Sequence, residues 1–324
     1  MATPGNLGAL GSGGAFSGFL PADFDAYLEK KWGSNAYTLA RRQAKDRLLA
    51  LCRAIESELV EELQGLEMGA SDEAPSVSNG RKVKAQWAYF TRGENARKAL
   101  QPLLNETNLS SGAALFDISV QHQHACIALK LDQDGLAVSV ELADKARIDR
   151  RNLKAILQKP EGVESLLEMA KSLPGGCAMG FEGELITALD LTAEQAQAWL
   201  PDLDGDKIFL IEALIPREEE VLKSDAFIGT AAEYIDELLP AFHFVAWSPT
   251  NDHANLQLTL AKEKKVKQKK AVEALDIKPG ARVMILSGLF AGRPAYLAEI
   301  TKGKAKVMVG PAAVTVDLKD IKPA

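Results

Sequence analysis

His122-Gln123-His124 holds two of the four histidines in the chain. Residues i and i+2 of an extended strand share a face, so a strand here would present both imidazoles together, as a two-histidine metal set requires. The third ligand would have to come from His243, His253 or an acidic residue such as Asp117. The plainer reading is a pair of hydrogen-bonding turn residues. Asp202-Leu203-Asp204-Gly205-Asp206 opens like a calcium loop, but Lys207 and Ala213 stand where an EF-hand needs Gly at its sixth position and Glu at its twelfth. A turn is expected there. Gly11-Ser12-Gly13-Gly14 has no strand before it, and the chain contains no Walker A sequence, nucleophile elbow or HExxH motif. On these grounds no catalytic residue, metal or cofactor is assigned.

A second group of residues is basic and aromatic. Lys302, Lys304 and Lys306 are spaced by two, so in a strand they project from one face and can follow a phosphate backbone. Tyr296 and Phe290 offer aromatic surfaces to unstacked bases, and Arg282 and Arg293 offer guanidinium planes. Phe290 fits the role of a core plug better, and the lysines also fit a soluble edge that blocks unwanted strand pairing. The segment that must position them runs from Lys278 through KPGARVMILSGLFAGRPAYLAEI to KAKVMVGPAAVTVDLKDI. It alternates apolar and polar residues over 282–285, 295–300, 305–309 and 314–318. Short strands this closely spaced bury a core by curling into a small barrel.

Pro279-Gly280-Ala281-Arg282-Val283, then Ser287-Gly288-Leu289-Phe290-Ala291-Gly292, then a strand and a basic hairpin, resemble the KOW motif of NusG-type transcription factors and large-subunit ribosomal proteins. The resemblance covers about fifteen per cent of the chain. It implies an SH3-like β-barrel over 277–324 whose loops touch RNA, ribosomal protein or polymerase. Where the family pattern usually has a further glycine three residues after Gly292, this chain has Ala295, preceded by Pro294. Ala suits a strand but forbids the close backbone approach that Gly would permit a ligand. The rest of the chain resembles no family.

The body reads as α+β. Leu48, Cys52, Ile55, Leu59, Leu63 and Leu66 recur at spacings of three and four, one face of a long helix, which makes Cys52 a core residue. Arg41, Arg42, Lys45 and Arg47 near its start and Glu56, Glu58, Glu61 and Glu62 near its end run against its dipole. Something must compensate them, and an antiparallel homodimer is one way. Strand-like alternation marks 81–91, 115–121, 127–131 and 136–142, with a hairpin turn at Asp132-Gln133-Asp134-Gly135. Helices are expected over 94–104, 149–158 and 161–172, with a short one capped by Thr192 and helical pieces over 217–239. Further strands are expected over 178–191, 207–215, 242–247 and 255–260. Strands that can pair directly with their sequence neighbours argue against a doubly wound α/β sheet. The division is a disordered Gly/Ser-rich arm over 1–18, a body over 19–260 whose element order is compatible with two halves at 20–145 and 146–260, a basic linker or helix over 261–276 and the barrel.

Composition bounds the function. With 47% apolar and 25% charged residues, 324 residues form a folded chain of about two domains. No run of eighteen apolar residues occurs, the first residues lack a secretory pattern, and three scattered cysteines make no redox or zinc pair. A cytoplasmic protein with no membrane partner is expected. The net charge of −6 conceals an asymmetry: residues 261–324 carry fourteen Lys/Arg against six Asp/Glu, a balance of +8, leaving −14 for residues 1–260. The expectation is a non-enzymatic interaction protein whose C-terminal barrel docks on RNA or a ribonucleoprotein, with a protein partner as a variant of that reading. Its rival is an enzyme with a metal-assisted site around His122 and His124.

Overall fold

The computed structural model describes residues 14–71, 73–78, 80–108, 119–262, 278–301, 304–317 and 320–324. The chain divides into two compact units between Ala254 and Asn255. The first runs α1 (Pro21–Asp25), α2 (Thr38–Glu58), β1 (Leu66–Ala70), β2 (Gln86–Arg92), α3 (Glu94–Asn108), α4 (Val120–Gln123), β3 (Cys126–Leu131), β4 (Gly135–Leu142), α5 (Arg147–Leu157), α6 (Pro160–Ser172), β5 (Ala178–Phe181), β6 (Glu184–Thr187), α7 (Ala193–Ala198), β7 (Phe209–Pro216) and α8 (Phe227–Val245). Its strands form one antiparallel sheet in the order β1-β2-β3-β4-β7-β5-β6. The architecture is α+β, and the sheet spans both halves of the body because β4 pairs with β7 along its whole length. Among the described residues no helix is long and apolar enough to cross a membrane.

Strict alternation gives the sheet two chemically different faces. Ile127, Leu129, Val138, Val140 and Ile211 enter the main core with Leu48, Cys52 and Ile55 of α2 and Ile235, Leu238 and Phe242 of α8. The intervening residues of the same strands, Ala128, Lys130, Ala137, Ser139, Glu141 and Glu212, therefore point to the opposite face. Phe16 belongs to the core as well: its ring lies 5.2 Å from that of Phe19 and 6.5 Å from that of Phe227. Of the expected disordered arm, residues 1–13 lie outside the described residues, and residues 14–18 lead into the core. A single aromatic outweighs the glycines around it.

Three of the basic residues near the start of α2 find partners within the chain. Arg47 pairs with Asp23 at 2.7 Å, and Lys45 donates to the carbonyls of Ser71 and Glu73. Arg41 is fully buried and donates to the carbonyls of Ala26, Lys31, Ser34 and Pro75. Glu56, Glu58, Glu61 and Glu62 near its end are exposed to solvent.

Three expected elements differ. The long helix stops at Glu58, because the chain turns at Gly65 (φ +85) and Leu66 opens β1, although Leu63 still reaches the core. Of Phe242–Trp247, expected as a strand, Phe242–Val245 is the last turn of α8, where Leu238, Phe242 and Val245 share the buried face, and Ala246 and Trp247 follow the helix. Residues 256–262 are helical, and of the alternating leucines Leu256 is buried while Leu258 is exposed. Of the strand expected over 115–121, residues 115–118 lie outside the described residues. So does the basic run from 263 to 277.

The second unit contains β8 (Arg282–Ile285), β9 (Pro294–Thr301), β10 (Lys304–Val309), β11 (Ala312–Asp317) and β12 (Ile321–Pro323). They form an antiparallel sheet in the order β11-β10-β9-β8-β12 around Val283, Ile285, Ala295, Leu297, Ala305, Val307 and Ile321. Instead of the expected closed barrel, the pairing leaves β11 and β12 as two edges. β12 is only three residues long and ends on Pro323, which has no amide to donate to another strand. Gly288 and Gly292 both adopt positive φ in the loop between β8 and β9, a conformation that strains other residues.

Candidate functional site

β9 is the middle strand of the C-terminal sheet, and its inward positions Ala295 and Leu297 are buried. Tyr296 between them points outward and is 59% exposed. Its cross-strand partners are Arg282 on β8 and Met308 on β10, so an exposed ring lies between a guanidinium and a thioether on one row. Lys304 and Lys306 are exposed at alternate positions of β10, whose intervening Ala305 is buried. Their partners across the sheet temper them: Lys306 stands opposite Glu299, and Lys304 opposite Asp317. Lys302 lies outside the described residues. Arg293 is exposed just before β9, where its backbone carbonyl accepts from Ile285. Thus Arg282, Tyr296, Lys304 and Lys306 share the outer face, and Arg293 lies at its border. Phe290 packs against the C-terminal core, which agrees with the core-plug reading. Ala295 faces that core as well, so the place where the family pattern has glycine is turned away from solvent. From Lys278 to the end there are eight Lys/Arg and three Asp/Glu.

The sequence matches no protein-family model and no curated protein. What this face does therefore rests on its chemistry.

The two histidines do not come together. Residues 120–123 form a helical turn instead of a strand, which removes the shared face. His122 is exposed, whereas His124 is buried beside Arg92 and Asp149. Asp149 accepts from Arg92, from the amide of Ala125 at 2.8 Å and from the amide of Trp247 at 2.7 Å, so it ties β2, β3 and the end of α8 together. Burial pushes the His124 pKa down to about 4, assisted by the Arg92 charge and opposed by Asp149. Among the described residues no group of three or more His, Cys, Asp or Glu is placed to hold a metal ion. Asp202–Asp204 forms a 3₁₀ turn, where Arg150 takes the carbonyls of Asp202, Leu203 and Lys207. All three cysteines are free and buried; burial raises the thiol pKa of each, that of Cys177 to about 11.

The outer face of the body sheet holds a site that the sequence reading missed. A cleft of about 490 Å³ opens over β2, β3, β4 and β7, lined by Trp87, Gln121, His122, Lys130, Glu141 and Glu212 among others. On the same face the small residues Ala128, Ala137 and Ser139 alternate with the larger ones. Glu141 is 7% exposed and accepts from Ser139 Oγ at 3.0 Å. Burial raises its carboxyl pKa, while Ser139, Lys130 and Gln121 oppose the rise. Burial raises Glu212 too, opposed by Lys130 and reinforced by Asp132 and Glu182. Burial works against the charge on Lys130, yet Asp132, Glu212 and Glu141 together hold its pKa above the ordinary value. Alternating charges in 126–142 and 209–216 are visible in the sequence; the pairing of β4 with β7 that assembles them is not.

Proposed function

We propose that this is a non-enzymatic interaction protein whose C-terminal unit docks on single-stranded RNA or a ribonucleoprotein. The observation that carries the reading is Tyr296, a large aromatic left open in the centre of a sheet with Arg282 directly opposite. A bare sheet centre is normally covered, whereas an aromatic flanked by a guanidinium is a stacking surface for an unpaired base. Lys304 and Lys306 flank it at the spacing of a strand and supply phosphate contacts. The strand order, with the last strand beside the first of a four-strand meander, supports reading the KOW-like segment as an SH3-like unit. Leu289, 95% exposed on the β8–β9 loop, favours a protein surface as a second contact, as a ribonucleoprotein would provide.

The test is binding of the full-length protein to single-stranded RNA across a salt series. Replacing Lys304 and Lys306 by Ala removes two phosphate contacts and makes the slope of log affinity against log salt shallower by about 1.4. Tyr296→Ala weakens binding by roughly 1–3 kcal/mol with the slope unchanged. If wild-type protein shows no RNA binding even at low salt, the RNA reading fails and protein docking through Leu289 replaces it.

A further inference from the structure

The outer face of the body sheet is independent of the RNA reading. We propose that the cleft over β2, β3, β4 and β7 binds a small organic cation, an amine on an apolar stem, with its ammonium between Glu141 and Glu212 and its stem against Trp87. The volume of about 490 Å³ lies in the range of small-molecule sites. Its charge selects the sign of the ligand: four carboxylates, those of Glu73, Glu141, Glu182 and Glu212, line it against two cations, Arg81 and Lys130. Lys130 is paired with Asp132 at 3.0 Å, so its charge is shared between that carboxylate and those of Glu141 and Glu212. Burial is the first cause of the raised pKa of both glutamates, and Lys130 offsets part of it.

Register separates an organic cation from a metal ion. Glu141 is the partner of Leu210 and Glu212 that of Ser139, so the two glutamates lie on a diagonal, with Cβ atoms about 7 Å apart. Without a third ligand between them they do not converge on a single ion. An ammonium has three donors and can reach two separated carboxylates. Trp87 on β2 is the cross-strand partner of Lys130, and Leu210 on β7 is that of Glu141, so the lining of the cleft includes apolar surface beside both a cation and a carboxylate.

Titration calorimetry on the full-length protein with tryptamine, 1,5-diaminopentane and agmatine tests this, with indole-3-propionate as the carrier of opposite charge. At least one amine is expected to bind with one-to-one stoichiometry, and the carboxylate is not. Glu141→Gln with Glu212→Gln should weaken that binding by about tenfold or more, whereas Glu164→Gln with Glu168→Gln, equal in charge but on the exposed face of α6, should leave it unchanged. If the substitution at the buried Glu141 prevents folding, Glu212→Gln alone carries the comparison, since that side chain is only half-buried. Three results overturn the proposal: no amine binds at about 5 mM, the carboxylate binds as well as the amines, or the remote pair of substitutions weakens binding as much as the substitutions in the cleft.

Discussion

Acidification discriminates the buried layer at the start of β3 from an ordinary surface. His124 is 2% exposed, its Nδ1 has no hydrogen-bond partner, and its pKa is held down to about 4 against an ordinary 6.5. The unfolded chain takes up this proton near pH 6.5 and the folded chain only near pH 4. The contribution to stability is therefore full above pH 6.5 and is lost as the pH falls through that window. The gap of 2.5 pH units between 6.5 and 4, at 1.36 kcal/mol per unit, amounts to about 3 kcal/mol. Glu141 and Glu212 act in the opposite sense, since carboxyls raised in the folded state favour folding at low pH. A bare pH profile would mix the two. The measurement that isolates His124 is the difference in urea-unfolding free energy between wild type and His124→Gln, taken at matched pH from 7 to 4. Wild type should lose about 3 kcal/mol relative to the variant over that range. A difference that stays flat would refute the assignment of a neutral, desolvated imidazole.

Three further outcomes follow from the same packing. Phe16→Ala should cost about 3 kcal/mol by chemical denaturation, because a buried aromatic is truncated; a change near zero would return residues 14–18 to the arm. Arg41→Met should cost about 3 kcal/mol or more, since it strips the donors from four carbonyls, and an unchanged unfolding midpoint would show those carbonyls satisfied otherwise. Wild type should lose stability relative to Glu141→Gln as pH rises from about 4.5 through neutrality, because the folded state holds that proton more tightly than the unfolded chain; stability that instead rises with pH relative to the variant would mean a carboxylate stabilised by Lys130.

What the sequence made legible was local. Ile127, Leu129 and Leu131 facing Leu136, Val138 and Val140 across Asp132–Gly135 specify a hairpin without help from the rest of the chain. In the C-terminal unit the alternation that puts Lys304 and Lys306 on one face of a strand was legible, whereas the register that sets Tyr296 between Arg282 and Met308, with its shift at Lys306/Val307, was not. Misreadings arose where a pattern was real but its period was accidental. Leu59, Leu63 and Leu66 continue the spacing of α2 past its end, and Phe242, Phe244 and Ala246 alternate through the last turn of α8 and its C-cap. The cleft needed long-range information. Glu141 and Glu212 are brought side by side only because β7 inserts between β4 and β5, and no local rule predicts that insertion.

The distribution of charge also determines how RNA binding must be measured. Residues 1–260 carry −14 and residues 261–324 carry +8. Within the body, Arg41 and Arg150 are sunk in cages of backbone carbonyls and Arg92 is engaged by Asp149. Their guanidinium donors face inward and are taken up by the fold. On the proposal that the C-terminal unit binds RNA, the acidic body repels the same polyanion. Added salt weakens both effects, screening the repulsion over a Debye length of about 10 Å at 0.1 M while displacing the contacts. The salt slope of the intact chain is therefore shallower than its phosphate contacts alone dictate, and its absolute value does not count them. The change in slope between wild type and the Lys304 and Lys306 double variant does, because the body contributes equally to both. A slope unaltered by removing the two lysines would place the phosphate contacts elsewhere in the basic 261–324 segment and leave Tyr296 as the only contact on this face.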